Sequence, residues 1–132
     1  MSGAKGAIAI VEDDTGMREA LQRVLRIAGF DARGYASAEE FLGTTPCTNL
    51  RCLVLDIHLP GISGLDLQRR LVTMGRALPV IFITAHDTAS AREEAGELGT
   101  VAFLVKPFEG RTLVSAVETV LAQRSNGTGG GQ

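Results

Sequence analysis

Residues 51–60 read RCLVLDIHLP and combine an apolar run with an acid and a proline. Its apolar run, Cys52 to Leu55, leads directly into a carboxylate, Asp56, and Pro60 follows soon after. A short apolar run that ends at a turn signal predicts a buried strand. Asp56 therefore stands where a buried strand stops, either as a cap of the following turn or as a functional group.

Apolar runs of this kind alternate with helical patterns along the chain. Strands are predicted over 7–12, 30–35, 51–56, 79–84 and 101–105. Apolar residues at helical spacing fall between them: Met17, Ala20, Leu21, Val24, Leu25 and Ala28; Phe41 and Leu42; Leu67, Leu71 and Met74; Ala91, Ala95 and Leu98; Leu113, Val117, Val120 and Leu121. Ser37 with Glu40 forms a capping-box pattern.

This alternation predicts an α/β fold in which helices cover both faces of a parallel sheet. Five such units in 132 residues fit a flavodoxin-like doubly wound sheet with strand order 2-1-3-4-5. We expect one folded domain over 6–123, an N-terminal tail over 1–5, and a flexible linker or C-terminal tail over 124–132, where the sequence reads RSNGTGGGQ.

Composition excludes several classes of protein. The formal net charge of −2 argues against a nucleic-acid-binding face in this segment. No apolar run is long enough to span a membrane, and the N-terminal stretch is too short for a signal peptide. Cys47 and Cys52 form no metal motif, and two cysteines are too few for a disulfide scaffold, so free thiols in a reducing cytoplasm are predicted.

Polar residues follow four of the five predicted strands. Glu12, Asp13 and Asp14 come after the first, Asp56 ends the third, Thr84 ends the fourth, and Lys106 follows the fifth. Ligand sites of doubly wound sheets lie at the carboxyl ends of the strands, so these side chains should converge. Clustered carboxylates favour a hard cation such as Mg²⁺, with Mn²⁺ as an alternative.

A carboxylate beside a metal ion, a lysine and a hydroxyl is a plausible acceptor of a phosphoryl group. Structural interpretations stay open beside this one. Asp14 is equally well explained as the N-cap of the next helix. Asp56, Thr84 and Lys106, each taken singly, are compatible with ordinary loop positions. The convergence of all of them on one edge favours the functional interpretation.

Four segments carry a resemblance to a known family: VEDDTGMR, LVLDIHLPGISGLDL, VIFITAHD and FLVKPFE. Together they closely resemble the receiver domain of two-component response regulators, the CheY-like fold, over roughly residues 6–123. Among receivers the sequence is most similar to the FixJ type, whose members usually carry a C-terminal LuxR-type DNA-binding domain. A self-modifying signalling switch rather than an enzyme is what the resemblance implies.

The resemblance implies roles for the acidic cluster. Asp56 matches the aspartate that a histidine kinase phosphorylates, and Lys106 matches the family lysine that pairs with the phosphoryl group. Glu12 and Asp13 match the acids that hold Mg²⁺, with Asp13 as the more direct ligand. His58 matches the position whose backbone carbonyl binds the metal. The family usually has Asp at the position of Glu12, and the longer arm is compatible with a water-mediated contact.

The resemblance also implies a switch. Thr84 matches the hydroxyl that turns toward the phosphoryl group, and Phe103 matches the aromatic that rotates inward with it. Ala85 is small, as access to the phosphoryl site requires. His58 and His86 occupy positions that tune the lifetime of the phosphoryl group, although both are also compatible with solvated loop residues. The Lys106–Pro107 bond is expected to be cis.

The expected output surface comprises helix 88–98, strand 101–105 and helix 109–123, with Ala91, Ala95, Val101 and Val114 as its modest apolar residues. Ordinary core positions are the alternative interpretation of these four residues, and for Val101 the favoured one. This 88–123 face is predicted to form a homodimer or to contact a DNA-binding output domain beyond this chain, for control of transcription. A stand-alone receiver that acts on a partner protein is the alternative. An aspartate-based phosphohydrolase is less consistent, because that class needs a second carboxylate where His58 stands. A pseudo-receiver would have lost one of the site residues.

Overall fold

The computed structural model describes residues 5–44, 49–99 and 102–130. Five parallel strands form one sheet in the order β2-β1-β3-β4-β5, which confirms the predicted topology. The strands are β1 Ala7–Val11, β2 Asp31–Tyr35, β3 Leu50–Asp56, β4 Val80–Thr84 and β5 Ala102–Val105. Their carboxyl ends share one edge of the sheet, since all pairings are parallel.

Five helices connect and follow the strands. They are α1 Thr15–Ile27, α2 Ala38–Leu42, α3 Gly64–Thr73, α4 Ala89–Glu97 and α5 Gly110–Gly130. Four of them begin at a short polar side chain that accepts a backbone N–H in the first turn: Asp14, Ser37, Ser63 and Thr88. The capping box at α2 is also present, except that Glu40 accepts from the N–H of Ala36 rather than from that of the N-cap residue. Local sequence signals therefore place the helix starts.

The core has two apolar layers, one on each face of the sheet. The layer packed under α2, α3 and α4 includes Phe41, Leu67 and Leu71. The opposite layer lies under α1 and α5 and includes Leu25 and Leu113. All five residues of β4 are buried, as the continuous apolar run predicts. Aliphatic strands covered on both sides give the carboxyl edge of the sheet a rigid base.

Some predictions about individual residues were wrong. Met74 does not face the core: it is the C-cap of α3 and 51% exposed, and Gln68 occupies a buried position of that helix instead. Of the two interpretations of Ala91 and Ala95, the core one is correct, because both side chains are buried. Their small side chains belong to the apolar layer under α2, α3 and α4.

The remaining boundary predictions concern the ends of elements. Val101 and Cys47 lie outside the described residues. Helix α5 continues to Gly130, into the segment predicted as a linker, and the domain limit at residue 123 stays a prediction. Within the described part of the chain, no helix is both long and apolar enough to cross a membrane.

Candidate functional site

The polar residues predicted at the strand ends lie together at the carboxyl edge of the sheet. Glu12 follows β1, Asp56 ends β3, Thr84 ends β4, and Lys106 follows β5. Glu12, Asp56 and Thr84 are almost fully buried, at 1%, 4% and 0% exposure. Buried polar side chains must find partners or pay a desolvation cost, so their contacts reveal how the site is organised.

Lys106 bridges two of the buried acids. Its Nζ lies 2.7 Å from Glu12 Oε1 and 3.0 Å from Asp56 Oδ2. The other oxygen of Asp56, Oδ1, accepts the backbone N–H of His58 at 2.9 Å. Both oxygens of Asp56 are thus oriented by donors, and one ammonium group offsets part of the negative charge at the edge. The Lys106–Pro107 bond that follows is cis, as expected.

Burial and pairing act in opposite directions on these groups. Desolvation raises the pKa of Glu12 above its ordinary value, although hydrogen bonds from Lys106 and from the Asp14 N–H oppose it. Desolvation lowers the pKa of Lys106, but its hydrogen bonds to Glu12 and Asp56 outweigh that effect and raise the pKa overall. Burial therefore disfavours the negative charge of this cluster, and one lysine offsets only part of it. A bound cation would offset more of that charge.

The acids fit a divalent metal ion. Glu12, Asp13 and Asp56 each offer a carboxylate oxygen, and these oxygens lie within 4.8 Å of one another. Asp13 is exposed to solvent. Asp14, by contrast, caps α1, because its carboxylate accepts the N–H of Met17 at 2.7 Å. Of the three acids after β1, the capping interpretation therefore applies to Asp14. Oxygen ligands with room for water are what Mg²⁺ prefers.

The Thr84 hydroxyl is held by the loop after β4. It accepts the backbone N–H of His86 at 3.0 Å and donates to the His86 carbonyl at 3.1 Å. Ala85 between them is exposed. The imidazoles of His58 and His86 meet edge to face, with ring centroids 5.4 Å apart. The two histidines singled out by their spacing are therefore neighbours in space.

Phe103 lies on β5, half-buried against the α2–α4 layer. The guanidinium of Arg92 lies over its ring, with Cζ 4.5 Å from the centroid. Arg92 also pairs with Asp87, Nε to Oδ1 at 2.6 Å and a terminal nitrogen, NH2, to Oδ2 at 3.1 Å. The sequence analysis did not identify Arg92 or Asp87. Helical periodicity shows that Arg92 is exposed, but it does not show which strand its side chain contacts.

Gly64 is a second feature that sequence reasoning missed. A Cβ added to it would overlap the backbone carbonyl oxygen of Asp56, and its N–H donates to the carbonyl of Ile57 at 3.0 Å. The glycine at the start of α3 lets that helix pack directly against the backbone that carries Asp56. The Ser63-Gly64 pair in the quoted motif was the available signal.

Comparison with known proteins agrees with this geometry. The family model described as "Response regulator receiver domain" matches residues 8–118. The chain is 40% identical over 116 residues to nodulation protein W of Bradyrhizobium diazoefficiens, covering 88% of this chain and 51% of that protein. It is 34% identical over 119 residues to the transcriptional regulatory protein FixJ of the same organism, covering 90% of this chain and 58% of that protein. The chain thus spans about half the length of these curated relatives.

A solved structure titled as that of FixJ-N superposes with a TM-score of 0.80 at 34% identity, covering 89% of this chain and 94% of that one. The similarity to the FixJ type inferred from the motifs is confirmed. With the fold, the acidic edge and the matched residues 8–118 in agreement, the chain belongs to the response regulator receiver domain family, whose members act in two-component phosphorylation signalling.

Proposed function

We propose that this domain is a phosphorylation switch whose acceptor is Asp56, with a histidine kinase as the phosphoryl donor. The observation that carries the proposal is the surroundings of Asp56. The carboxylate is buried at the end of a rigid strand, lies 3.0 Å from Lys106, and shares a cluster with two further acids. A purely structural strand-end aspartate would need neither the lysine nor the acids.

The chemistry follows from these positions. An oxygen of Asp56 attacks the phosphorus of the donor, and the bond from phosphorus to the leaving imidazole of the kinase breaks, with its electron pair retained by the leaving group. Lys106 places an ammonium beside the oxygen of Asp56 and compensates charge on the incoming phosphoryl group. The His58 N–H fixes the orientation of the carboxylate through its other oxygen. Positioning and electrostatics supply the catalysis.

Glu12, Asp13 and Asp56 would hold Mg²⁺ or Mn²⁺, together with the backbone carbonyl of His58. When bound, the ion supplies neutralisation of charge on the transferring oxygens. Lys106 contacts both buried acids, so a bound ion would share Glu12 and Asp56 with its ammonium group. Of the three acids, Asp13 is the exposed one and would be the most accessible to an arriving ion.

Signal output is proposed to pass through the 88–123 face. Thr84 leaves His86 for the phosphoryl group, Phe103 changes position with it, and α4, β5 and α5 present an altered surface to a second copy or to an output domain. FixJ is a transcriptional regulatory protein by name, and the chain spans just over half of its length. Control of transcription through a DNA-binding domain outside this chain is the favoured output.

The decisive experiment treats the protein with acetyl phosphate and Mg²⁺ and records the intact mass beside Asp56→Asn. We expect a phosphoryl adduct on the wild type and none on the variant. An adduct on both proteins would mean that another acid is the acceptor. No adduct on the wild type, with acetyl phosphate and with a phosphorylated histidine kinase alike, would overturn the proposed function.

A further inference from the structure

We propose that Arg92, anchored by Asp87, is a positioning residue that holds Phe103 in its resting place and couples it to the Thr84 hydroxyl. This inference rests on the proposed switch and adds two residues to it. Its basis is a continuous set of contacts from β4 to β5 through the loop after Thr84, residues 85–88.

The first contact places a charge on the switch aromatic. The Arg92 guanidinium lies 4.5 Å from the centre of the Phe103 ring, within the range of a cation–π interaction. Phe103 is only half-buried, so this guanidinium covers ring surface that the core does not. A ring held in this way must lose the contact before it can move inward. Arg92 therefore favours the resting position.

The second contact fixes the arginine. Asp87 accepts two hydrogen bonds from Arg92 in the paired, fork-like arrangement that is specific to arginine. Arg92 also donates its backbone N–H to the carbonyl of Thr88, the residue that caps α4. The side chain is thus tied to the loop at the start of its own helix, which restricts where the guanidinium can lie.

The third contact connects that loop to the site. His86, the residue before Asp87, makes both hydrogen bonds of the Thr84 hydroxyl. If Thr84 turns to a phosphoryl group on Asp56, both bonds break and the segment that carries Asp87 is released. Movement of Asp87 withdraws Arg92 from the ring. Thr84 and Phe103 are then linked through the loop in addition to the sheet.

The test measures binding of beryllofluoride, a phosphoryl mimic, with Mg²⁺ present. Arg92→Gln removes the charge and the fork but keeps an unbranched polar side chain that suits a helix. We expect it to tighten beryllofluoride binding about two- to five-fold, the size of an exposed cation–π contact. Asp87→Asn should act in the same direction, and the double variant should add little, because the two residues act as one unit.

Glu94→Gln is the matched control. Glu94 lies on the same helix and forms an ion pair with Arg69 on α3, which is separate from the contact between Arg92 and the ring. Its affinity for beryllofluoride should equal that of the wild type. Circular dichroism and urea unfolding show whether each variant is folded. A change in beryllofluoride affinity can then be distinguished from a general loss of helix stability.

A second readout observes the ring itself. Fluorophenylalanine labelling gives five ¹⁹F signals, one for each Phe, and Phe103→Leu assigns the relevant one. Without beryllofluoride, Arg92→Gln should move the Phe103 signal toward its activated position, and Glu94→Gln should not. An unchanged signal with unchanged affinity, or weaker binding by Arg92→Gln, overturns the inference. If the wild type binds no beryllofluoride the proposed function fails, and the Phe103 signal alone then decides whether Arg92 positions the ring.

Discussion

The imidazole rings of His58 and His86 lie in edge-to-face contact, with centroids 5.4 Å apart, although they follow different strands. Each stands two residues beyond a site residue, Asp56 or Thr84. Aromatic rings in edge-to-face contact attract each other, and this adds to the free energy that they gain from buried area. Two exposed side chains are thereby held together, and one of them belongs to the residue whose N–H binds the proposed acceptor, Asp56.

We therefore expect the histidine pair to slow the loss of the phosphoryl group. Replacing both with Ala should speed autodephosphorylation about three- to ten-fold, since roughly 1 kcal/mol of barrier is a several-fold change in rate. Either single replacement breaks the contact and should give most of the effect. The decay of the phosphorylated mass over time measures the rate. Glu93→Ala, an exposed change on α4, is the control, and equal rates in all variants would refute the shielding role.

Magnesium should stabilise the folded domain through Asp13. A ligand at about 100 times its dissociation constant adds roughly 2.7 kcal/mol to the free energy of unfolding. Asp13→Asn should lose most of that gain, and EDTA should abolish it in the wild type. Urea unfolding with and without Mg²⁺ measures the difference.

Asp14→Asn is the matched control for the magnesium experiment. Asp14 caps α1, and Asn caps a helix as well as Asp does, so this variant should keep both its stability and its response to Mg²⁺. Equal responses of the Asp13 and Asp14 variants would show that the neighbouring acids do not differ in metal binding. The assignment of Asp13 as a ligand would then be wrong.

Gly64→Ala should damage both stability and phosphoryl uptake. The added Cβ would overlap the Asp56 carbonyl oxygen, and relief of such an overlap by backbone shifts typically costs about 1–3 kcal/mol. Because the shift moves Asp56, the rate of phosphorylation by acetyl phosphate should fall as well. Gly96→Ala on α4 meets no atom within 4 Å and should instead stabilise the protein by about 1 kcal/mol. Similar effects of the two substitutions would contradict the packing argument.

The raised pKa of Glu12 makes stability depend on pH. Just above its ordinary value of 4.5, the folded protein keeps the proton that the unfolded chain releases. The folded state then binds more protons, so the free energy of unfolding contributed by Glu12 falls as pH rises through this window. Glu12→Gln keeps an oxygen for Lys106 and cannot titrate.

Urea unfolding in EDTA at a series of pH values tests this dependence. The stability of Glu12→Gln relative to the wild type should increase as pH rises above about 4.5, and level off once Glu12 is ionised in both states. Parallel curves for the two proteins would show that Glu12 does not have a raised pKa in the folded state. A decrease in relative stability with rising pH would mean that Lys106 outweighs burial.

Much of the fold follows from local patterns. Continuous apolar runs indicate buried strands, and Asp14 and Ser37 mark helix starts at which the structure shows capped helices. The clustering of Glu12 and Asp56 was also predictable, because parallel strands bring their carboxyl ends to one edge. These inferences need only periodicity and topology.

Other features depend on how elements dock and lie outside the reach of pattern analysis. Met74 matches a helical stripe, yet the helix ends there and the side chain faces solvent. Arg92 looks like an ordinary surface residue until α4 is placed beside β5. The contact between the two imidazoles likewise requires the loops after β3 and β4 in three dimensions. Sequence gives the residue types for such contacts but not the partners.

Lys106 follows the edge strand β5 and passes across the end of β4 to reach Asp56 on β3 and Glu12 after β1. One side chain thus ties the rim of the sheet to its two central strands, while its backbone N–H donates to the carbonyl of Thr84 at 2.8 Å. A tether of this kind connects the edge strand directly to the proposed phosphoryl site. If Asp56 accepts a phosphoryl group as proposed, the change of charge would act through Lys106 directly on β5, the short strand that carries Phe103, without passing through the apolar layers.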